Sequence, residues 1–306
     1  MHEPEWKRKL RELATGTVLF DECMARHTSI GVGGRADALV VPESAVELGR
    51  LVALLRAEGI PVFFVGNGTN LIVRDDGFRG AVVSTKGLRA VRLEPRGEGL
   101  TALLAEAGAS LAEVVSLTAR EGLTGMEFCA GIPGSVGGGI RMNAGAWGGE
   151  MKDVLESVDL LNGEGNIRSL PRAALRFEYR NLALSEGACV LGGAFGLARG
   201  DRVAVEGRIR EILNMRSGKH PLQYRSAGSV FKNPKGMPAG RIIDEAGLKG
   251  LTLGGARVSE MHGNFIVNLG SATAKDIIGL IDLVRKKVRE RTGIDLEPEV
   301  KIIGEE

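Results

Sequence analysis

The chain has 306 residues, 43% hydrophobic, 25% charged and only 4% aromatic, with 45 glycines and a formal net charge of +2. That length allows two or three domains with well-buried, mostly aliphatic cores. Acids and bases are interspersed, which argues against the basic stripe of a general nucleic-acid binder. No apolar run is long enough to span a membrane. Cys23, Cys129 and Cys189 form an odd set with no CxxC pair. They read as reduced thiols, with no disulfide and no metal expected. The opening MHEPEWKRKLREL is charged and lacks the apolar core of a signal peptide, so a cytoplasmic location is expected.

In chain order, Ser44 with Glu47 is a capping box opening a helix through SAVELGRLVALLRAEG, with Gly59 placed to close it. Short aliphatic strands are expected at 61–65, 70–73, 80–85 and 101–108. Ser110 with Glu113 reads as a second capping box, its helix closed by Gly122. A strand is expected at 189–197, and the turn-prone 198–201 marks a domain boundary. Helices follow from Arg202 to Arg216 and from about Pro238 to Ala246. Thr273 with Asp276 opens the last helix, in which Ile277, Ile278, Ile281, Val284 and Val288 recur at helical spacing before Gly293. LEPEVKIIG closes the chain as a strand. This alternation gives an α/β or α+β class.

Two glycine-rich stretches raise the question of a ligand. In VGNGTNLIV (65–73), Gly66 and Gly68 follow a strand, but a second strand follows them. A dinucleotide fingerprint needs a helix there. On this stretch alone an ordinary glycine turn is the simpler reading, although consecutive N–H groups can also form an anion-binding nest. GIPGSVGGGIRMNAGAWGGE (131–150) carries eight glycines in twenty residues. Glycine is costly to order, so such a stretch usually brings backbone close to something. We read it as a long backbone ribbon against a flat or phosphorylated ligand, the alternative being a surface Ω-loop.

At this point the motifs become recognisable. HTSIGVGG (27–34), GNGTNLIV (66–73), GIPGSVGG with MNAGAWGGE (131–150) and FEYRN (177–181) occur in order, followed by SAGSVFKNP (226–234), IDEAGLKG (243–250), VSEMHGNFIVN (258–268) and LEPEVKIIG (296–304). Together they resemble the UDP-N-acetylenolpyruvoylglucosamine reductase family. The resemblance implies an α+β fold: a two-subdomain FAD-binding fold of the vanillyl-alcohol-oxidase/PCMH type, plus a C-terminal α+β substrate domain. Residues 1–79 and 80–200 would be the FAD-binding subdomains and 201–296 the substrate domain, with 297–306 returning to the FAD-binding region. Only Lys235 to Pro238 join FKNP to AGRIIDEAG, as in the shorter subclass that lacks an extra substrate-covering loop.

The resemblance also implies roles. FAD, held non-covalently, would lie on Gly66, Asn67, Gly68, Thr69, Asn70 and Leu71, on Gly131, Ile132, Pro133, Gly134, Ser135 and Gly137, and near Asn143, Ala144, Gly145 and Ala146. NADPH would be the reductant and UDP-N-acetylglucosamine enolpyruvate the substrate; protein partners are left open. Arg180 would fork onto the substrate carboxylate, since a guanidinium is permanently charged and bidentate. Glu299 would be a second stabiliser of the developing enolate, which requires it to be protonated. Ser229 would donate the proton. Tyr179, Lys219, Lys232 and Asn233 are the substrate-side candidates. Arg225, His220 and Gly263 stand where the family commonly has proline, glutamine and alanine, all on that side. His27 could suggest a covalent flavin, but the family has none. Two rivals stay in view: another FAD oxidase of the same fold acting on alcohols or sugars, and a non-catalytic nucleotide-sugar binder.

Overall fold

The computed structural model describes residues 3–163 and 165–305. The chain divides into two compact units: Met1–Phe20, Ala38–Asn67 and Gly80–Asn214 form the first, and Asp21–Asp37, Gly68–Arg79 and Met215–Glu306 the second. The three consecutive segments read from sequence are therefore cut differently. Residues 21–37 and 68–79 belong to the C-terminal unit because Ile30, Val32 and Ile72 lie in its core. The Leu71–Val73 strand also pairs in parallel with the C-terminal strand Lys301–Ile303.

In the first unit, α1 (Glu5–Leu13) escapes the sequence reading because its apolar content is thin; Trp6 and Leu10 alone anchor it in the core. α2 (Ala45–Ala57) starts where Ser44 Oγ accepts the Glu47 N–H. Glu47 does not complete the box on Ser44. Its carboxylate instead accepts the N–H groups of Thr15, Gly16 and Glu43 at 2.6, 2.8 and 2.8 Å. The helix buries Leu48, Leu51, Val52 and Leu55 against Val40, Ala81 and Val83, each leucine worth about 2 kcal/mol. These residues face a sheet ordered Thr17–Cys23, Arg35–Val41, Phe78–Ser84 and Val62–Val65.

A second sheet is antiparallel, ordered Ile167–Pro171, Leu155–Leu161, Cys189–Arg199, Leu100–Glu106 and Val91–Gly97. α3 (Leu111–Arg120) forms as expected, but Ser110 makes no side-chain cap. Its backbone bridges to Ser135 instead.

The 131–150 stretch is not a continuous ribbon. Residues Val136–Arg141 form α4, capped by Ser135. VGGGIR is a poor helix former, at roughly 1 kcal/mol lost per glycine. Packing overrides propensity: a Cβ at Gly137 would lie 2.6 Å from the Ala107 Cβ, and one at Gly139 2.6 Å from Met151 Cε. The first unit closes with a short α5 (Met151–Val154) and with α6 (Arg202–Ser217), whose last residues belong to the second unit.

The second unit holds an antiparallel sheet ordered Arg225–Ser229, Phe265–Asn268, Ala256–Val258 and Thr252–Leu253. α7 (Ala239–Glu245) and α8 (Ala274–Thr292) pack beside it. α8 carries a complete capping box, Thr273 with Asp276, and ends on Gly293 at φ 74°. It buries Ile277, Leu280, Ile281, Val284 and Val288. The C-terminal segment is a strand only at Lys301–Ile303; Pro298 makes an isolated bridge to Phe231. No helix among the described residues is long and apolar enough to cross a membrane. Among them no cluster of His, Cys, Asp or Glu could hold a metal ion. The three cysteines are free.

Candidate active site

Within the first unit, two glycine turns meet. A Cβ at Gly66 would fall 2.5 Å from Ser135 Oγ, so a side chain there would displace the hydroxyl that caps α4. Gly131 and Gly134 adopt φ of 70° and 140°, open to glycine and hardly to other residues. Ser135 is buried and caps α4, while Gly131 and Pro133 are exposed beside the half-buried Ile132. The Ile132 N–H is spent on the Cys129 carbonyl and Pro133 has none, but glycine at these turns lets the main chain approach a ligand closely, which fits a phosphate-bearing cofactor. Gly137 does not belong to that surface. It is buried in α4 and its N–H donates to the Ala107 carbonyl at 2.8 Å.

Gly68, in the second unit, has φ 66°, and a Cβ there would meet the His27 carbonyl at 2.0 Å. Its own carbonyl accepts the Ser29 N–H. Thr69 is half-buried in the same loop. Asn70 Nδ2 donates to the Glu299 carbonyl at 3.2 Å, and the Asn70 carbonyl accepts the Lys301 N–H at 3.1 Å. Leu71 is buried in the strand that pairs with Lys301. His27 faces Glu22, Nε2 to Oε1 at 2.9 Å.

Arg180 sits on a two-residue turn, with Tyr179, between the paired strands Phe177–Glu178 and Asn181–Leu182. Its φ is 57°, left-handed for a side chain that prefers otherwise. Three of the five non-glycine residues with positive φ among those described, Asn143, Trp147 and Arg180, fall in this neighbourhood. Such outliers persist where the surroundings over-determine them. Arg180 Nη1 donates to the Gly145 carbonyl at 3.0 Å, and its guanidinium lies 5.2 Å from the exposed Tyr179 ring. Gly145–Ala146 pairs with Gly149–Glu150 as a second hairpin.

Asn143 ties the two hairpins together. Fully buried at φ 40°, it donates to Glu150 Oε2 (2.9 Å) and the Glu178 carbonyl (3.2 Å) and accepts the Lys152 N–H. Its side chain therefore serves the protein rather than a ligand. Ala144 is also engaged: its N–H donates to Gly139 and its carbonyl accepts from Met151. Sequence reasoning passed over Arg141 and Glu150. Arg141 Nη1 donates to Asn181 Oδ1 and the Leu182 carbonyl, both at 2.6 Å, and so holds the Arg180 hairpin to α4. Burial alone would raise the Glu150 carboxyl. Hydrogen bonds from Lys152 and Asn143, with the charges of Lys152 and Arg180, outweigh it and hold the group below its ordinary range.

Ser229 and Glu299 lie on neighbouring backbone segments of the second unit. Ser229, half-buried at the end of its strand, pairs with Phe265 and follows Gly228 at φ 72°. The Glu299 N–H donates to the Val230 carbonyl at 2.7 Å, and the Lys232 N–H to the Glu297 carbonyl at 2.9 Å. Lys232 Nζ is engaged by Glu297 at 2.5 Å. Asn233 Oδ1 accepts the Ala239 N–H at 2.9 Å, which makes it a helix-start anchor for α7. Lys219 is exposed just past α6.

The three departures from the family pattern each have a local account. Arg225 covers Gly31, where a Cβ would lie 2.7 Å from its Nη1. A Cβ at Gly263 would lie 2.5 Å from the Gly240 carbonyl, so the close approach of α7 demands glycine. His220 packs against His262 and Phe265, with ring centroids at 5.6 and 4.9 Å.

Residues 36–171 match an FAD binding domain, and residues 220–303 match the C-terminal domain of UDP-N-acetylenolpyruvoylglucosamine reductase. The UDP-N-acetylenolpyruvoylglucosamine reductase of Syntrophus aciditrophicus is 51% identical over 306 residues, covering 100% of this chain and 98% of the relative. That of Caldanaerobacter subterraneus is 47% identical, covering 97% of each. The crystal structure of the Thermus caldophilus enzyme superposes with a TM-score of 0.80 at 36% identity, covering 94% of this chain and 99% of that one.

Proposed function

The chain belongs to the UDP-N-acetylenolpyruvoylglucosamine reductase family and is an FAD-dependent oxidoreductase, and from that footing we propose that it reduces UDP-N-acetylglucosamine enolpyruvate to UDP-N-acetylmuramate with NADPH, a cytoplasmic step of peptidoglycan precursor synthesis. The chemistry FAD supplies when bound is hydride transfer from a nicotinamide to a polarised alkene.

The protein's own residues do the rest. Amides of the Gly66–Asn67 turn and of Gly134–Ser135 hold phosphate oxygens. Arg180 binds the substrate carboxylate and draws off the negative charge that develops beside it. Glu299 stabilises the same charge, and the Ser229 hydroxyl gives its proton to the carbon bearing the ether oxygen. Lys219, Lys232 and Tyr179 are the groups available for the nucleotide end. Asn233 supports the site through the Ala239 main chain, and Asn143 through Glu150 and the main chain of Glu178 and Lys152.

The observation that best supports this reading is the Glu299–Val230 main-chain bond at 2.7 Å, a link between the backbone of Glu299 and the residue that follows Ser229, although the two lie far apart in sequence. Two measurements test it. The purified protein should be yellow, bleach with NADPH under anaerobic conditions, and regain colour on adding UDP-N-acetylglucosamine enolpyruvate; a reduced flavin indifferent to that substrate overturns the reading. Ser229→Ala should still be reduced by NADPH while its reoxidation by substrate slows by several orders of magnitude, about 10² to 10⁴. Equal reoxidation rates would assign the proton to another group.

A further inference from the structure

The Val230–Phe231 segment carries Ser229 on one side and is bonded to Glu299 on the other. Its pairing with the C-terminal segment is the wide kind of antiparallel bridge. Around the Phe231–Pro298 pair the hydrogen bonds belong to the flanking residues, Lys232 to Glu297 and Glu299 to Val230. The N–H and C=O of Phe231 itself therefore point away from Pro298, to the opposite edge. There the regular ladder has already failed: the register between Arg225–Ser229 and Phe265–Asn268 slips between Ser226 and Ser229. A buried peptide left so would lack both partners.

One side chain takes both. Asn264, 3% exposed, donates from Nδ2 to the Phe231 carbonyl at 2.8 Å and accepts the Phe231 N–H on Oδ1 at 2.9 Å. Its main-chain carbonyl accepts the Val230 N–H at 2.9 Å. Asn264 is in turn fixed by its own N–H, which donates to His262 Nδ1 at 3.1 Å.

We infer that Asn264 is a positioning residue for the reaction proposed above, setting Ser229 and Glu299 in register by clamping the main chain on both sides of Phe231 with its side-chain amide. The inference rests on that reading of Ser229 and Glu299. Asparagine suits the task because it alone, with glutamine, offers a donor and an acceptor in one plane, as a neighbouring strand would.

The experiment compares the full-length holoenzyme with Asn264→Ala and Asn264→Asp. Aspartate keeps an acceptor for the Phe231 N–H and loses the donor to the Phe231 carbonyl. Three quantities are read: anaerobic flavin reduction by NADPH, flavin reoxidation by UDP-N-acetylglucosamine enolpyruvate, and hydrogen exchange at the Val230, Phe231 and Glu299 amides. The parent protein is the control for the underlying reading, since failure of its own reoxidation would condemn that reading and not the clamp.

With a competent parent, both variants should reduce within about twofold of it. Reoxidation should slow by about a hundredfold, the usual consequence of reacting groups displaced by about 1 Å. Exchange should quicken at those three amides and not in α8. Unchanged reoxidation in both variants overturns the inference. So does an equal fall in both half-reactions with exchange quickened throughout the unit, or failure of both variants to fold, because the amide would then serve the whole unit rather than the pair of residues.

Discussion

Asn143 and Asn264 are both buried asparagines beside residues proposed to react, yet they support them in opposite ways. Asn143 sits at φ 40° and reaches across two short hairpins, to Glu150 and to the Glu178 carbonyl. The turn it stabilises presents Arg180, itself at φ 57°. Asn264 is absent from the positive-φ residues and closes both bonds on the main chain of one residue, Phe231, at the frayed end of a strand ladder. The first unit positions its residue by strained turns over a glycine-built helix; the second positions its pair by completing a sheet edge. Strain stored in the first region should be recoverable by glycine, and nothing comparable should be recoverable in the second.

The largest expected effect comes from Arg180→Gly. Glycine at φ 57° removes roughly 1 kcal/mol of left-handed strain, while losing the bond to the Gly145 carbonyl costs about 1 kcal/mol. Stability by urea denaturation should therefore stay within about 1 kcal/mol of the parent. Reoxidation of the reduced flavin by substrate should fall by about 10²- to 10³-fold, the scale for removing a charge-stabilising group. A variant as active as the parent would dissociate the strained turn from the chemistry.

Next is Asn143→Ala, which leaves three partly buried partner groups without their bonds and should destabilise the protein by about 2 kcal/mol. Asn143→Gly should recover about 1 kcal/mol of that. At position 264 the order should reverse, glycine being worse than alanine by about 0.5–1 kcal/mol. The same ordering at both sites would erase the contrast between the two regions.

A smaller effect belongs to His220. Burial, and then the charges of Arg216, His262 and Lys219, push its imidazole down to about 4 from the ordinary 6.5. As pH falls from about 6.5, the unfolded chain takes up a proton that the folded chain refuses. The contribution is thus fully present above 6.5 and is lost toward 4. Discounting for partial exposure, the loss should be about 2 kcal/mol, from about 1.4 kcal/mol per unit. Denaturation of the parent and of His220→Gln at pH 7 and pH 4.5 checks the sign: the variant should lose less stability between them.

Much of the framework was legible in the sequence because it depends on neighbours along the chain. Thr273 with Asp276, Ser44 with Glu47, and glycines at the C-terminal ends of helices act within one or two turns, so the helices they bound could be placed. The FAD-binding assignment and the family were legible through ordered motifs. The same local reasoning misjudged the 131–150 stretch. Glycine content signals close approach but not to what, and for Gly137 and Gly139 the answer is Ala107 and Met151 rather than a ligand.

Ser110 looked like a capping residue until its backbone proved to be paired with Ser135. Which side chains reach ligand and which reach backbone was not written locally either. Asn143 and Asn233 carried the residue type of a binding contact, and Asn264 drew no notice. Only the tertiary structure brings Glu299 to Val230 and Asn264 to Phe231, because buried N–H and C=O groups must find partners wherever the fold supplies them. Capping and apolar periodicity determined where α2 and α8 begin and end, because those signals act within one or two turns. The placement of the residues proposed to react followed from hydrogen bonds between segments that the sequence keeps far apart.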